Sequence, residues 1–160
     1  MAQQLWLLRH GDAEPHEARD DASRKLTEKG EAQARAAGVA LASLGLEFDS
    51  VLTSPRVRAR ETARLACESF GSFDVEPIDA LSGGFAREDA LEVLAGRDPD
   101  ARVLLVGHEP DFSQLVHDLA GGRADVKKGG VAALKVARGA GELLLLLRPA
   151  DLALMARAAS

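Results

Sequence analysis

Arg9-His10-Gly11 directly follows the apolar run Leu5-Trp6-Leu7-Leu8. A basic residue and a histidine stand where a buried strand would end, and the glycine lets the chain turn. The pattern recurs at Val103-Leu104-Leu105-Val106, which is followed by Gly107-His108. A third segment, Thr53-Ser54-Pro55-Arg56-Val57-Arg58-Ala59-Arg60, adds arginines at a strand-to-helix junction. Open α/β sheets bind ligands outside the carboxyl ends of their strands. Histidines and arginines gathered at such ends point to chemistry on a phosphoryl group.

Each candidate has a role its side chain can carry. The His10 imidazole can attack phosphorus and hold the group covalently, splitting one displacement into two. It must be neutral to attack, and nearby arginines disfavour the imidazolium. Arg58 falls in the first turn of a helix capped by Ser54, with Pro55 at its first position. A side chain there leans toward the helix N-terminus, where backbone N–H groups also favour an anion. Its planar guanidinium can grip two phosphate oxygens. His108 takes the same strand-end position as His10 and would donate to the charged oxygens of the transition state. Arg56 and Arg60 read as solvated helix positions, and His16 and His117 as surface residues. No His-x-x-x-His or Cys-x-x-Cys spacing occurs, so no metal site is expected.

These residues need a scaffold of strands and helices. Gln4–Arg9, Ser50–Thr53, Asp74–Ile78 and Val103–Gly107 read as strands. Val131–Val136 and Glu142–Leu147 read as a hairpin around Arg138-Gly139-Ala140-Gly141. A helix begins after Leu26, capped by Thr27, with Ala32, Ala36, Val39, Ala40 and Leu44 as its apolar face and Gly45 as its stop. The helix from Ser54-Pro55 carries a stripe of Ala59, Ala63, Ala66 and Phe70. Further helices cover Glu88–Leu94, a segment opened by Pro110-Asp111 with Phe112, Leu115, Val116 and Leu119 inward, and Pro149–Ala158. Alternating strands and helices predict a three-layer α/β/α fold with a mostly parallel sheet and an antiparallel C-terminal edge. At 160 residues the chain, 1–160, is expected to form a single domain.

Bulk properties narrow the partners. The net charge of −5 argues against nucleic acid and against an anionic membrane. The longest apolar stretch, Leu143 to Leu147, is too short to span a bilayer. Met1-Ala2-Gln3-Gln4 lacks a basic leader, so no signal peptide is expected. Cys67 is the only cysteine, which fits a reducing, cytoplasmic setting and reads as core packing, as does Trp6.

Leu8-Arg9-His10-Gly11-Asp12-Ala13-Glu14-Pro15 resembles the signature of the histidine phosphatase superfamily, whose fold is phosphoglycerate mutase-like. With Leu26-Thr27-Glu28-Lys29-Gly30 downstream, it most resembles the SixA-type phosphohistidine phosphatases. Thr53-Ser54-Pro55 through Arg58-Ala59-Arg60-Glu61-Thr62 is similar to the family's second-arginine motif. Val106-Gly107-His108-Glu109-Pro110 is similar to its second-histidine motif. The resemblance runs from Leu5 to at least Leu119. It implies His10 as nucleophile and Arg9, Arg58 and His108 as the phosphate pocket, with no cofactor and no metal. The implied activity is a metal-independent hydrolysis of phosphohistidine on a partner protein, such as a phosphorelay domain.

One departure bears on the leaving group. Many relatives carry a glutamate two residues after a leucine, where this chain has Gly83 after Leu81. SixA-type members also tend to lack that acid, and a phosphoramidate nitrogen can carry its own proton. Glu88, Asp89 and Asp79 are the carboxylates that could substitute for that acid, and each reads first as a solvated surface residue. The alternatives are a phosphomonoesterase acting on a small metabolite and a non-catalytic phosphate-binding module. The loop Asp12–Lys25 is expected to help set specificity.

Overall fold

The computed structural model describes residues 2–71 and 73–160. Its strands are β1 (Gln3–Arg9), β2 (Ser50–Thr53), β3 (Val75–Pro77), β4 (Arg102–Gly107), β5 (Val131–Ala137) and β6 (Ala140–Leu147). Its helices are α1 (Glu28–Ser43), α2 (Val57–Cys67), α3 (Arg87–Leu94), α4 (Asp111–Ala120) and α5 (Pro149–Ala158). One six-stranded sheet runs in the order β3-β2-β4-β1-β5-β6. The pairs β3–β2, β2–β4 and β4–β1 are parallel, and β1–β5 and β5–β6 are antiparallel. This is the α/β architecture expected from the alternation of elements.

Both faces of the sheet are covered, which is why β1 and β4 are continuous apolar runs rather than alternating ones. Leu5, Leu7, Val103 and Leu105 pack with Leu94 of α3 and with Phe112, Leu115 and Val116 of α4. Trp6, Leu8, Leu104 and Val106 pack with Ala37 and Leu41 of α1, Ala59 and Ala63 of α2, and Leu152 of α5. Cys67 and Trp6 lie in this second cluster, as expected. The four apolar residues of α4 named from the sequence are all buried.

Three local expectations need correction. The buried face of α1 is Gly30, Ala34, Ala37, Gly38, Ala40 and Leu41, whereas Ala32 and Leu44 are exposed. Hydrophobicity misplaced this stripe because two of its members are glycines. They are buried to let backbones approach. The helix from Ser54 starts later, at Val57, with Arg56 at its N-cap. The hairpin connection is only Arg138-Gly139, since β6 begins at Ala140.

Thr27 caps α1 as expected, its Oγ1 accepting from Gly30 N at 3.1 Å. Where α1 crosses α2, a methyl group added at Gly38 would lie 2.1 Å from the carbonyl oxygen of Ala66. Inside an ordinary helix, Gly→Ala stabilises by about 1 kcal/mol. At this crossing the contact is backbone against backbone, so Gly38→Ala should instead cost about 1–3 kcal/mol. The expected reading is a lower urea midpoint at unchanged m-value. A raised midpoint would contradict the close helix contact.

Candidate active site

The parallel ladder between β1 and β4 places Arg9 opposite Gly107. His10 and His108 therefore leave the sheet side by side, and His10 N donates to Gly107 O at 3.0 Å. Their ring centroids are 5.2 Å apart with the planes tilted by 57°. On the other flank of β4, Ser54 N donates to Val106 O at 2.9 Å, so the end of β2 joins the same edge. Arg58, the second residue of α2, reaches in from above that edge.

Gly11 works here through close approach. A side chain on it would meet the carbonyl oxygen of Gly30 at 2.5 Å. Its N–H donates to Thr62 Oγ1 at 3.1 Å, and Thr62 Oγ1 donates to Arg58 O at 2.7 Å. The loop that follows His10 is thereby tied to the helix that carries Arg58.

Arg9, His10, Arg58 and His108 line one cleft of about 320 Å³, so the structure brings the four sequence-predicted residues together. His10, Arg58 and His108 are 6%, 5% and 7% exposed. His10 Nδ1 lies 2.7 Å from Gly11 O. A carbonyl can only accept, so this nitrogen carries the proton and Nε2 keeps its lone pair. Burial above all holds the His10 pKa down, to about 4, and Arg58, Arg9 and Lys128 act in the same direction. His108 is pushed down to about 3, by burial first and then by His10, Arg58, Arg56 and Arg9. Burial also brings Arg58 down to about 10, which leaves it cationic at neutral pH.

Sequence reasoning missed much of the rim. Asp21, in a short 3₁₀ turn (Asp21–Ser23), sits among three guanidinium groups. It accepts from Arg24 Nε at 3.1 Å, from Arg58 Nη2 at 3.4 Å and from Arg56 Nη1. Its backbone oxygen takes Arg58 Nη1 at 2.7 Å. Arg24, Lys128 and Glu109 also line the cleft, and so does Arg56, which is therefore not the plain solvated residue expected. His16, though exposed, borders it too, whereas Arg60 and His117 are exposed and do not. The one signal available for Asp21 and Arg24 was charge within the loop Asp12–Lys25.

Of the carboxylates considered as acids, Asp79, Glu88 and Asp89 do not line the cleft. Asp89 is engaged at the start of α3, accepting from Ala86 N at 2.8 Å. A side chain at Gly83 would come within 3.9 Å of Arg56 Nη2, at the rim. Three buried polar atoms of the site residues have no partner among the described residues: Arg9 Nε, Arg58 Nε and His108 Nδ1. Unpartnered buried polar atoms are costly, and an anion with several oxygens is the complement for such cations. Among the described residues, no group of three or more His, Cys, Asp or Glu is placed to hold a metal ion. No helix there is long and apolar enough to cross a membrane.

Comparison with known proteins assigns the family. The sequence profile of the histidine phosphatase superfamily (branch 1) matches residues 5–83. An uncharacterized protein from Picosynechococcus sp. is 32% identical over 143 residues, 82% of this chain and 84% of that protein. The chain belongs to the histidine phosphatase superfamily. Its shape is SixA-like. The protein histidine phosphatase SixA solved with tungstate superposes with a TM-score of 0.83 at 26% identity, over 93% of this chain and 99% of that one. A Nakamurella multipartitia protein named phosphohistidine phosphatase SixA gives 0.71 at 29% identity, over 93% and 97%. These relationships support a phosphatase, and so a hydrolase.

The buried histidines make stability depend on pH. Both have folded pKa values below the unfolded value of about 6.5. Their stability is present above that pH and is lost as pH falls toward about 4 for His10 and about 3 for His108. Below about pH 6.5 each should cost about 1.4 kcal/mol per pH unit until its folded pKa is reached. Urea midpoints measured from pH 7 to pH 4.5 should therefore fall steeply. A His10→Asn/His108→Asn double variant should show a shallower fall. Equal slopes would contradict the burial of neutral rings.

Proposed function

We propose that this chain is a metal-independent phosphohistidine phosphatase working through a covalent intermediate on His10. One observation carries the reading. A neutral imidazole with its Nε2 lone pair free lies in a cleft where, among the described residues, buried Arg9 Nε, Arg58 Nε and His108 Nδ1 have no partner. In the first step, Nε2 forms a bond to phosphorus as the bond to the substrate's imidazole nitrogen breaks. Water then displaces His10 and releases inorganic phosphate. Arg9 and Arg58 hold the phosphoryl oxygens and balance charge that a metal would otherwise meet. The likeness to a SixA solved in complex with tungstate, a tetrahedral oxyanion, is in keeping with an oxyanion ligand for this chain.

The substrate class follows from the leaving group. Position 83 is glycine, and Asp79, Glu88 and Asp89 do not line the cleft, so none of the acids considered from the sequence is placed to protonate an alkoxide there. A protonated imidazole leaves without such help. Its natural bearer is a histidine on another protein, such as a phosphorelay domain, met in the cytoplasm. We read residues 1–160 as one domain carrying this activity.

A phosphomonoesterase is the second reading, favoured by Glu109 on the cleft wall. Its Oε1 accepts from Ser113 N at 2.8 Å and its Oε2 from Ser113 Oγ, so both oxygens are occupied at the start of α4. That commitment makes it a poor acid for a departing alkoxide. A non-catalytic phosphate-binding module remains the third reading, and any turnover excludes it.

The test compares a phosphohistidine peptide with a sugar phosphate, with EDTA present throughout. General acid catalysis is worth roughly 10²- to 10⁴-fold, so kcat/KM should favour phosphohistidine by about that factor. Comparable rates on both substrates would move the reading to the metabolite phosphatase. Activity restored only by a divalent ion would overturn metal independence.

A further inference from the structure

Ser54 is fully buried at the end of β2 and is spoken for on every side. Its carbonyl accepts from Thr53 Oγ1 at 3.0 Å, and its Oγ accepts from Arg56 N at 3.2 Å. The remaining neighbour of that oxygen is His108 Nε2, at 2.7 Å. A serine hydroxyl has one proton to give and two lone pairs. Among the described residues, the only acceptor for that proton is His108 Nε2. If Nε2 carried a proton instead, the buried hydroxyl proton would have nowhere to go. His108 Nδ1 would then be a bare lone pair facing an anion-binding cleft.

The opposite arrangement satisfies both groups. With the Ser54 hydroxyl donating to Nε2, the neutral His108 ring holds its proton on Nδ1. That atom is buried and has no partner among the described residues. The partner of one ring nitrogen fixes which tautomer is present, and through it what the other nitrogen can do. We propose that Ser54 is a positioning residue: its hydroxyl holds His108 in the Nδ1–H tautomer and so makes it a hydrogen-bond donor to the transferred phosphoryl group. The tautomer follows from the hydrogen bonds alone. Only the final step, donation to phosphoryl oxygens, rests on the phosphatase reading.

Two-bond ¹H–¹⁵N correlation spectra of the labelled full chain at neutral pH report the tautomer of each histidine ring. His108→Gln assigns the signal. The wild-type protein should show His108 protonated on Nδ1. Ser54→Ala should move the signal toward the Nε2–H form and lower kcat on a phosphohistidine peptide on the order of 10²-fold, with KM nearly unchanged. Ser54→Thr keeps the hydroxyl and should restore both signal and rate. An Nε2–H signal in the wild type overturns the proposal, and so does a Ser54→Ala protein whose tautomer is unchanged. The spectrum reads the free protein, so the wild-type and Ser54→Thr signals decide the matter even if Ser54→Ala fails to fold. They also decide it if wild-type turnover of phosphohistidine is absent, an outcome that would sink the phosphatase reading by itself.

Discussion

Arg9 lies opposite Gly107 across the parallel β1–β4 ladder, and the site is placed by that register. Strand side chains alternate between faces, so a slip of one residue would send Leu5 and Leu7 to the wrong core and separate the two histidines. The pairing of β4 with β2 then sets Ser54 beside His108, and the turn after β2 aims α2 at the same point. Both faces of β1 and β4 are buried along most of their length, which fixes this register strongly. Precision at the cleft thus derives from the core beneath it. The backbone at Gly11 is likewise packed tightly against Gly30, which holds His10 in place at the cleft.

Burying cations and imidazoles has a cost that the rest of the fold must carry. Desolvation pushes both histidines away from protonation and weakens the hold of Arg58 on its proton. Asp21 offsets part of that cost by facing Arg24, Arg56 and Arg58 from the loop above. Among the described residues, the buried side-chain nitrogens without a partner are Arg9 Nε, Arg58 Nε and His108 Nδ1. In the proposed function, a phosphoryl group would supply acceptors for these atoms. A neutral His10 keeps the lone pair that the proposed attack needs, and a neutral His108 can still donate from its one protonated nitrogen, so the same burial that costs stability in acid suits the proposed chemistry.

The parts of this arrangement that depend on chain order were legible in the sequence. His10 and His108 end two apolar runs, and Arg58 follows a strand by a few residues. Those spacings alone put them near one sheet edge. The strands, the inward face of α4 and the cap at Thr27 follow from patterning in the same way. What was not legible depends on contacts across the fold. Asp21 and Arg24 lie in an irregular loop whose path no periodicity sets. Ser54 looked like a helix cap because Ser-Pro commonly opens helices, yet its hydroxyl turns to His108. The α1 face was misread by hydrophobicity because buried glycines carry no apolar side chain, and the sequence marked Gly83 as the place of a missing acid but not its position beside Arg56.

The central claim is that His10 Nε2 takes the phosphoryl group. Its most direct test is rapid quenching after mixing the protein with ³²P-labelled phosphohistidine peptide, followed by mapping of the label. The account predicts an acid-labile, base-stable phosphate on the peptide containing His10, absent from a folded His10→Ala protein. Label on any other residue, or full turnover by His10→Ala, would contradict it.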